Sequence, residues 1–338
     1  MKTKLVVSLI VLGIGFSSCK KDDSPSKIDK TEVITFGPGY TNDLYYSLSN
    51  GLVSEVPRAT WDIAFSVYTM SSSIIINEST GIILKAYPNA WTWTGAIDTT
   101  GFHTWTSLRN SNTSWEDGAF NANATGYPNY GWGTYNSISH NIENAEGNKL
   151  YIIKLANGGF KKIWVEIKYS SLQKYTFRYA DLNGENPQVI SMMDVSNSKA
   201  NFVYYSLQNN LRLDREPDAT TWDLLFTRWE DIDGTTPYMV AGVLQNYIDR
   251  GYGSPKDIGV KAIDITIADP ANITYTDGDF STDINTIGWD WKTYAGSWSV
   301  PTDKFFIIKD KAGKIYQIQF LTFDGSSTGN FSFNIKGL

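Results

Sequence analysis

Residues 44–65 carry two short runs, Leu44-Tyr45-Tyr46-Ser47-Leu48 and Ala59-Thr60-Trp61-Asp62-Ile63-Ala64-Phe65, and each returns once later in the chain. The first comes back as Val203-Tyr204-Tyr205-Ser206-Leu207 and the second as Thr220-Thr221-Trp222-Asp223-Leu224-Leu225-Phe226. Gly131-Trp132 is matched by Gly288-Trp289, and Tyr151-Ile152-Ile153-Lys154 by Phe306-Ile307-Ile308-Lys309. The order is kept, and the offset drifts only between 161 and 155 residues. Four matches in register mark a duplicated unit of about 140 residues.

Each copy reads as strands. Tyr175, Phe177 and Tyr179 alternate with Thr176 and Arg178, and Phe331, Phe333 and Ile335 alternate with Ser332, Asn334 and Lys336, the period of a half-buried strand. Leu150–Leu155 and Lys162–Lys168 flank Asn157-Gly158-Gly159, a hairpin turn with residues suited to positive φ. The second copy repeats this with Phe305–Lys309, the turn 310–313 and Lys314–Phe320. No stretch of the mature chain keeps a helical period, so the expected fold class is all-β. In 61–65, alternation puts Trp61, Ile63 and Phe65 on one side and Asp62 on the other, held by a backbone N–H of a facing loop. A general acid or base at Asp62 lacks a second carboxylate fixed by any visible motif.

Composition narrows the function. The 338 residues carry 29 Lys plus Arg against 35 Asp plus Glu, a net charge of -6, so nothing invites nucleic acid. Two histidines, His103 and His140, and one cysteine, Cys19, exclude a disulfide scaffold, a Cys-rich or three-His zinc site and a cysteine protease. Gly325-Ser326-Ser327-Thr328-Gly329 has the spacing of a nucleophile elbow, but no histidine follows it, so it reads as a turn between the last two strands. Asp277-Gly278-Asp279-Phe280-Ser281-Thr282-Asp283 lacks the glycine at loop position six and the closing glutamate of a calcium loop and reads as surface. The chain is not expected to be an enzyme.

The N-terminus supplies an address. Lys2 and Lys4 precede an apolar run, Leu5–Phe16, too short to span a bilayer and right for a signal peptide. Phe16-Ser17-Ser18-Cys19 resembles a bacterial lipobox, with Phe16 where Leu is usual. The resemblance implies lipidation at Cys19 after removal of residues 1–18. Lys20-Lys21-Asp22-Asp23 then opens a polar tether, 19–30, similar to the surface-export signal of Bacteroidetes lipoproteins. The expected location is the outer membrane, lipid-anchored, on the cell surface. Two units follow, 31–190 and 191–338.

With these residues in view, the chain resembles the HmuY family of Bacteroidetes surface lipoproteins. The resemblance rests on the lipobox, Tyr-Tyr-Ser-Leu, Trp-Asp-hydrophobic-x-Phe, Gly-Trp and the closing hairpin. It is stronger in the second copy, where Trp222–Arg228 and Pro237–Asn246 look like the family's most recognisable stretch. It implies two tandem antiparallel β units of sandwich or cupped-hand type after a signal peptide and short tether. It also implies a haemophore-like role in iron acquisition, capturing haem for a TonB-dependent outer-membrane receptor. Axial ligands in the family are histidines or methionines on loops at the mouth of the cup.

Carried onto this chain, the candidate haem-binding residues are His140, His103, Met70 and Met239, the two histidines as haem iron ligands. His140 lies eight residues past Trp132, before the closing hairpin, and His103 lies among Trp91, Trp93, Trp105 and Trp115. Both also read as structural histidines donating to carbonyls, and each methionine as packing filler. The second copy has no histidine, so Tyr294 or Met239 would have to serve there. The aromatics of 87–135 suit stacking on a flat ligand, porphyrin or sugar ring, or else cover the edge of a sandwich. A surface glycan- or peptide-binding lipoprotein, or a ligand-free accessory subunit of a transporter, is the alternative to haem capture.

Overall fold

A computed structural model describes residues 28–233, 236–248 and 259–338. The stretch read as a signal peptide, Cys19 and all but the end of the stretch read as a tether lie outside the described residues. The first strand, Asp29–Thr35, begins within the stretch read as tether. The described chain is all-β, its only helical pieces being short 3-10 turns.

Four antiparallel sheets carry the fold. One outer sheet runs in the order Asp29–Thr35, Asn330–Gly337, Ile315–Phe323, Lys304–Lys309, Lys261–Thr266. It packs on an inner sheet ordered Thr236–Gln245, Leu224–Asp233, Asn42–Ser47, Gly51–Pro57. Between them Leu44, Tyr46, Leu224 and Phe226 meet Phe306, Phe320, Phe331 and Phe333 in one core. A second inner sheet, Leu211–Leu213, Phe202–Ser206, Ile63–Ser66, Ile74–Ile76, packs on an eight-stranded outer sheet centred on Phe160–Tyr169 and Lys174–Ala180. Its core joins Ile63, Phe65, Val203 and Tyr205 to Ile163, Val165, Tyr175 and Phe177. These are two sandwiches, which we call lobe 1 (the eight-stranded one) and lobe 2.

The two copies exchange strands. Tyr45 and Tyr46 of the first copy pair with Leu225 and Leu224 of the second, and Tyr204 and Tyr205 of the second pair with Ala64 and Ile63 of the first. Strand alternation then divides each Tyr-Tyr pair between two faces. Tyr46 and Tyr205 enter the cores of lobes 2 and 1. Tyr45 and Tyr204 face a seam where the inner sheets meet back to back, with Trp61, Trp222 and Trp115.

Each Trp-Asp pair serves this exchange. Asp62 accepts from Gln208 N at 3.1 Å, Gln208 Nε2 at 2.8 Å and Ser206 Oγ at 3.2 Å, and Asp223 accepts from Leu48 N at 2.8 Å. The expected backbone N–H partner of Asp62 is present, and its loop belongs to the other copy. Trp61 departs from expectation. The strand starts at Ile63, so the indole lies in the seam cluster while Ile63 and Phe65 fill the lobe 1 core.

Two asparagines repeat the same task. Asn77 N bonds Asp62 O while its Nδ2 donates to Arg58 O and Trp61 O, and Asn246 N bonds Asp223 O while its Nδ2 donates to Ala219 O and Trp222 O. At the seam's centre Asp43 is buried with Arg58 Nε at 2.7 Å, Arg215 Nη2 at 2.8 Å and Thr227 Oγ1 at 2.6 Å. First-copy and second-copy residues thus share one charge cluster.

Both expected hairpins form, Tyr151–Lys154 with Phe160–Tyr169 and Lys304–Lys309 with Ile315–Phe323. Residues 325–327 make a 3-10 turn between the last two strands, as read, and 277–279 another on the surface.

Candidate functional site: an open groove at the end of lobe 2

The two lobes end differently. In lobe 1 the inner strands are short, and residues 67–73 fold over the end of the core. A bulge between Val165 and Ile167 puts Lys168 opposite Tyr175, on the core side. Lys168 Nζ donates there to Tyr68 O at 2.7 Å, Thr69 O at 3.0 Å and Ser71 O, and Gln173 Nε2 donates to Val67 O at 2.9 Å. Burial brings the Lys168 ammonium down to about 7. The loop is pinned and the mouth is shut.

In lobe 2 the corresponding strands, Leu224–Asp233 and Thr236–Gln245, are 10 residues each and run past the core. Beside them lies a groove of about 640 Å³, inside the range of small-ligand sites. Its wall carries Tyr40, Tyr238, Met239, Trp289, Tyr294 and Trp298. Tyr238 and Trp289 have ring centroids 5.8 Å apart, and Tyr294 and Trp298 5.1 Å apart. The last two sit on a two-stranded ribbon, Thr293–Tyr294 with Trp298–Ser299, that forms one lip. Trp298 stands edge-on to Phe323 at 4.8 Å and leans on Gly325, where a Cβ would lie 2.4 Å from the indole nitrogen.

Two cations border the groove. Lys292 Nζ lies 4.1 Å from the Trp291 ring centroid, donates to Ala241 O and to Trp289 O at 3.1 Å, and is brought down to about 7 by burial. The Arg228 guanidinium lies 5.6 Å from the Tyr40 ring centroid. Burial and then repulsion from Arg58 lower its pKa. Burial raises the Tyr40 phenol, against the pull of Arg228. Asp290 is engaged by Lys304 at 2.7 Å.

The sequence candidates fall in several places. Met239 and Tyr294, the second-copy candidates, come together on the groove. Met239 also borders a cavity of about 170 Å³ beside the Arg109–Glu230 ion pair. His140 ends the turn of the hairpin Thr134–Asn136 and Asn141–Glu143, exposed, with Nδ1 2.8 Å from Tyr135 Oη. His103 lies exposed in the turn Phe102–Thr104. Met70 is 64% exposed on the loop that closes lobe 1. His103, His140 and Met70 do not line the groove.

The tryptophans of 91–105 cover the outer face of lobe 1's large sheet, where Trp91 packs on Trp164 at 5.2 Å with Trp93, Phe102 and Trp105 around them. Lys85 and Lys162 rise from that face to donate to Phe102 O and Trp105 O, and to Trp93 O and Gly95 O, fixing the cover. Trp132 fills the lobe 1 core, donating to Ser72 O at 2.9 Å. In lobe 2 the buried indole is Trp291, stacked on Phe320 at 4.0 Å, which frees Trp289 for the groove. Among the described residues, no three His, Cys, Asp or Glu side chains are grouped to hold a metal ion.

Comparison with known proteins finds a family match over the stretch that carries most of the groove. The family model described as HmuY protein matches residues 198–335. No curated protein matches the chain. A solved structure, the apo HmuY analog of Tannerella forsythia, aligns over 94% of this chain and 98% of that one, at 11% identity and a TM-score of 0.28. The sheets described above stand without that overlay. Residues 198–335, which hold every groove residue except Tyr40, are thus the part of the chain that is similar to the HmuY family.

Proposed function

We propose that the protein is a cell-surface lipoprotein that captures haem in the lobe 2 groove and hands it to a TonB-dependent outer-membrane transporter. The observation that supports this most is the groove's make-up within the family-matched stretch, residues 198–335. Its aromatic wall suits the flat face of a macrocycle, and its cations suit the carboxylates at the macrocycle's edge. Met239, a thioether, and Tyr294, a phenol, are the candidate axial donors there. His103 and His140 are the competing donors, at lobe 1. The lipid on Cys19 would hold the protein at the membrane, and the role is capture without catalysis.

The test is a hemin titration of the chain lacking residues 1–19, followed in the visible spectrum. A shifted Soret band that Met239→Ala or Tyr294→Phe alters, and that the His103→Ala, His140→Ala double variant leaves intact, supports capture in the groove. Hemin that keeps its free spectrum refutes capture. A band lost only in the double histidine variant moves the site to lobe 1.

A further inference from the structure

We propose that the groove selects an anionic ligand, and that the Arg228 guanidinium receives a carboxylate at the edge of its flat body. The inference deepens the reading above and rests on it for the location of the ligand.

Arg228 occupies an unusual position. On the strand Leu224–Asp233 the alternation that sends Leu224 and Phe226 into the lobe 2 core brings Arg228 to the same face. The first-copy strand pairs only as far as Phe226, so Arg228 stands where the sandwich opens. Across from it is Ala241, whose methyl leaves the space free.

Its charge is uncompensated. Arg58, Arg109, Arg178, Arg212 and Arg215 each meet a carboxylate. Among the described residues, Arg228 is the one arginine without a carboxylate partner, and its Nε is buried with no hydrogen-bond partner. Asp290 is held by Lys304, and Asp231 takes the indole N–H of Trp289 and the amide of Asn112.

A partly desolvated guanidinium without a counter-charge is costly. A ligand carboxylate offsets that cost in the paired geometry that arginine favours. A neutral sugar would fit the aromatic wall and leave Arg228 unpaired. The structure therefore favours a dianionic planar molecule over a neutral glycan.

The experiment compares iron-free protoporphyrin IX with its dimethyl ester, by tryptophan fluorescence quenching in the chain lacking residues 1–19. The free acid is expected to bind about tenfold or more tightly than the ester, and to weaken as salt is added. Arg228→Gln should erase the difference and Arg228→Lys restore part of it. Acid and ester held equally by the unaltered protein, or discrimination that survives Arg228→Gln, overturns the inference. The ester comparison does not depend on any variant folding. Hemin and its diester bound alike would leave haem capture standing and remove the role of Arg228. Porphyrin acid bound selectively, with iron adding nothing to the affinity or the spectrum, would keep the anion site and remove iron ligation.

Discussion

Replacing Asp43 by Asn tests the seam that unites the two copies. The carboxylate is 3% exposed and takes Arg58 Nε at 2.7 Å, Arg215 Nη2 at 2.8 Å and Thr227 Oγ1 at 2.6 Å. Removing its charge leaves two guanidiniums in a desolvated seam, and breaking a buried ion pair from one side costs about 3–5 kcal/mol. Thr227→Val removes a single hydrogen bond and should cost about 1–2 kcal/mol. Because the strands cross between lobes, both should unfold in one urea transition, with the midpoint lowered in Asp43→Asn and the slope unchanged. Combining Asp43→Ala with Arg215→Met should cost less than the sum of the two, since the second change removes a charge stranded by the first.

The pH dependence has a defined sign. Burial pushes the Asp43 carboxyl up, but the charges of Arg58 and Arg215 and the bond from Thr227 outweigh it, and the net direction is down. Its contribution is therefore present above the unfolded value, about 3.9, and lost as pH falls through the folded one. An Asp43→Asn protein within about 1 kcal/mol of the unaltered chain at pH 7 would refute the reasoning, because the charge cluster would then not be holding the seam.

Other outcomes follow from single contacts. Burial brings Lys168 and Lys292 to about 7, below the unfolded value of about 10.4, so the unfolded chain binds more protons between those limits. Above pH 8, beyond Glu216 at about 7 and Glu78 at about 8, urea stability should rise towards pH 9.5. Lys168→Met should flatten that rise, and a falling profile in the unaltered protein would contradict it. Asn246→Ala removes the donations to Ala219 O and Trp222 O, which Lys311 Nζ still reaches, and strands the Asn201 amide that donates to Asn246 Oδ1, and should cost about 1–3 kcal/mol by the same assay. Gly325→Ala must displace Trp298 from a glycine at φ 74, so hemin affinity should drop several-fold for about 1 kcal/mol of stability; unchanged affinity would remove Trp298 from the wall. Cys19→Ser should move the protein from the membrane fraction to the soluble one, and retention would exclude the lipid anchor.

The duplication and both hairpins were legible because alternation and turn glycines are local signals. The exchange of strands was not. Tyr45-Tyr46 and Tyr204-Tyr205 have the same pattern, so either could pair with either Trp-Asp strand, and the choice is made by contacts such as Asp62 with Gln208 and Asp223 with Leu48. The groove was hidden for another reason. Tyr40, Arg228, Lys292 and Trp298 are far apart in the chain and meet only through the folded sheets. One signal was available, a charged Arg228 at the position where alternation after Leu224 and Phe226 calls for a core residue. The clustered tryptophans of the first copy were conspicuous in sequence because they cover one sheet face together, with Lys85 and Lys162 tying them down.

Lobe 2 is the open lobe and lobe 1 the shut one, and counting bound haem tests this directly. Equilibrium dialysis of the chain lacking residues 1–19 against hemin should saturate at one haem per chain, with binding lost in a Met239→Ala, Tyr294→Ala, Trp298→Ala variant. Two haems per chain, or one that survives this triple change and disappears with His103→Ala and His140→Ala, would contradict it.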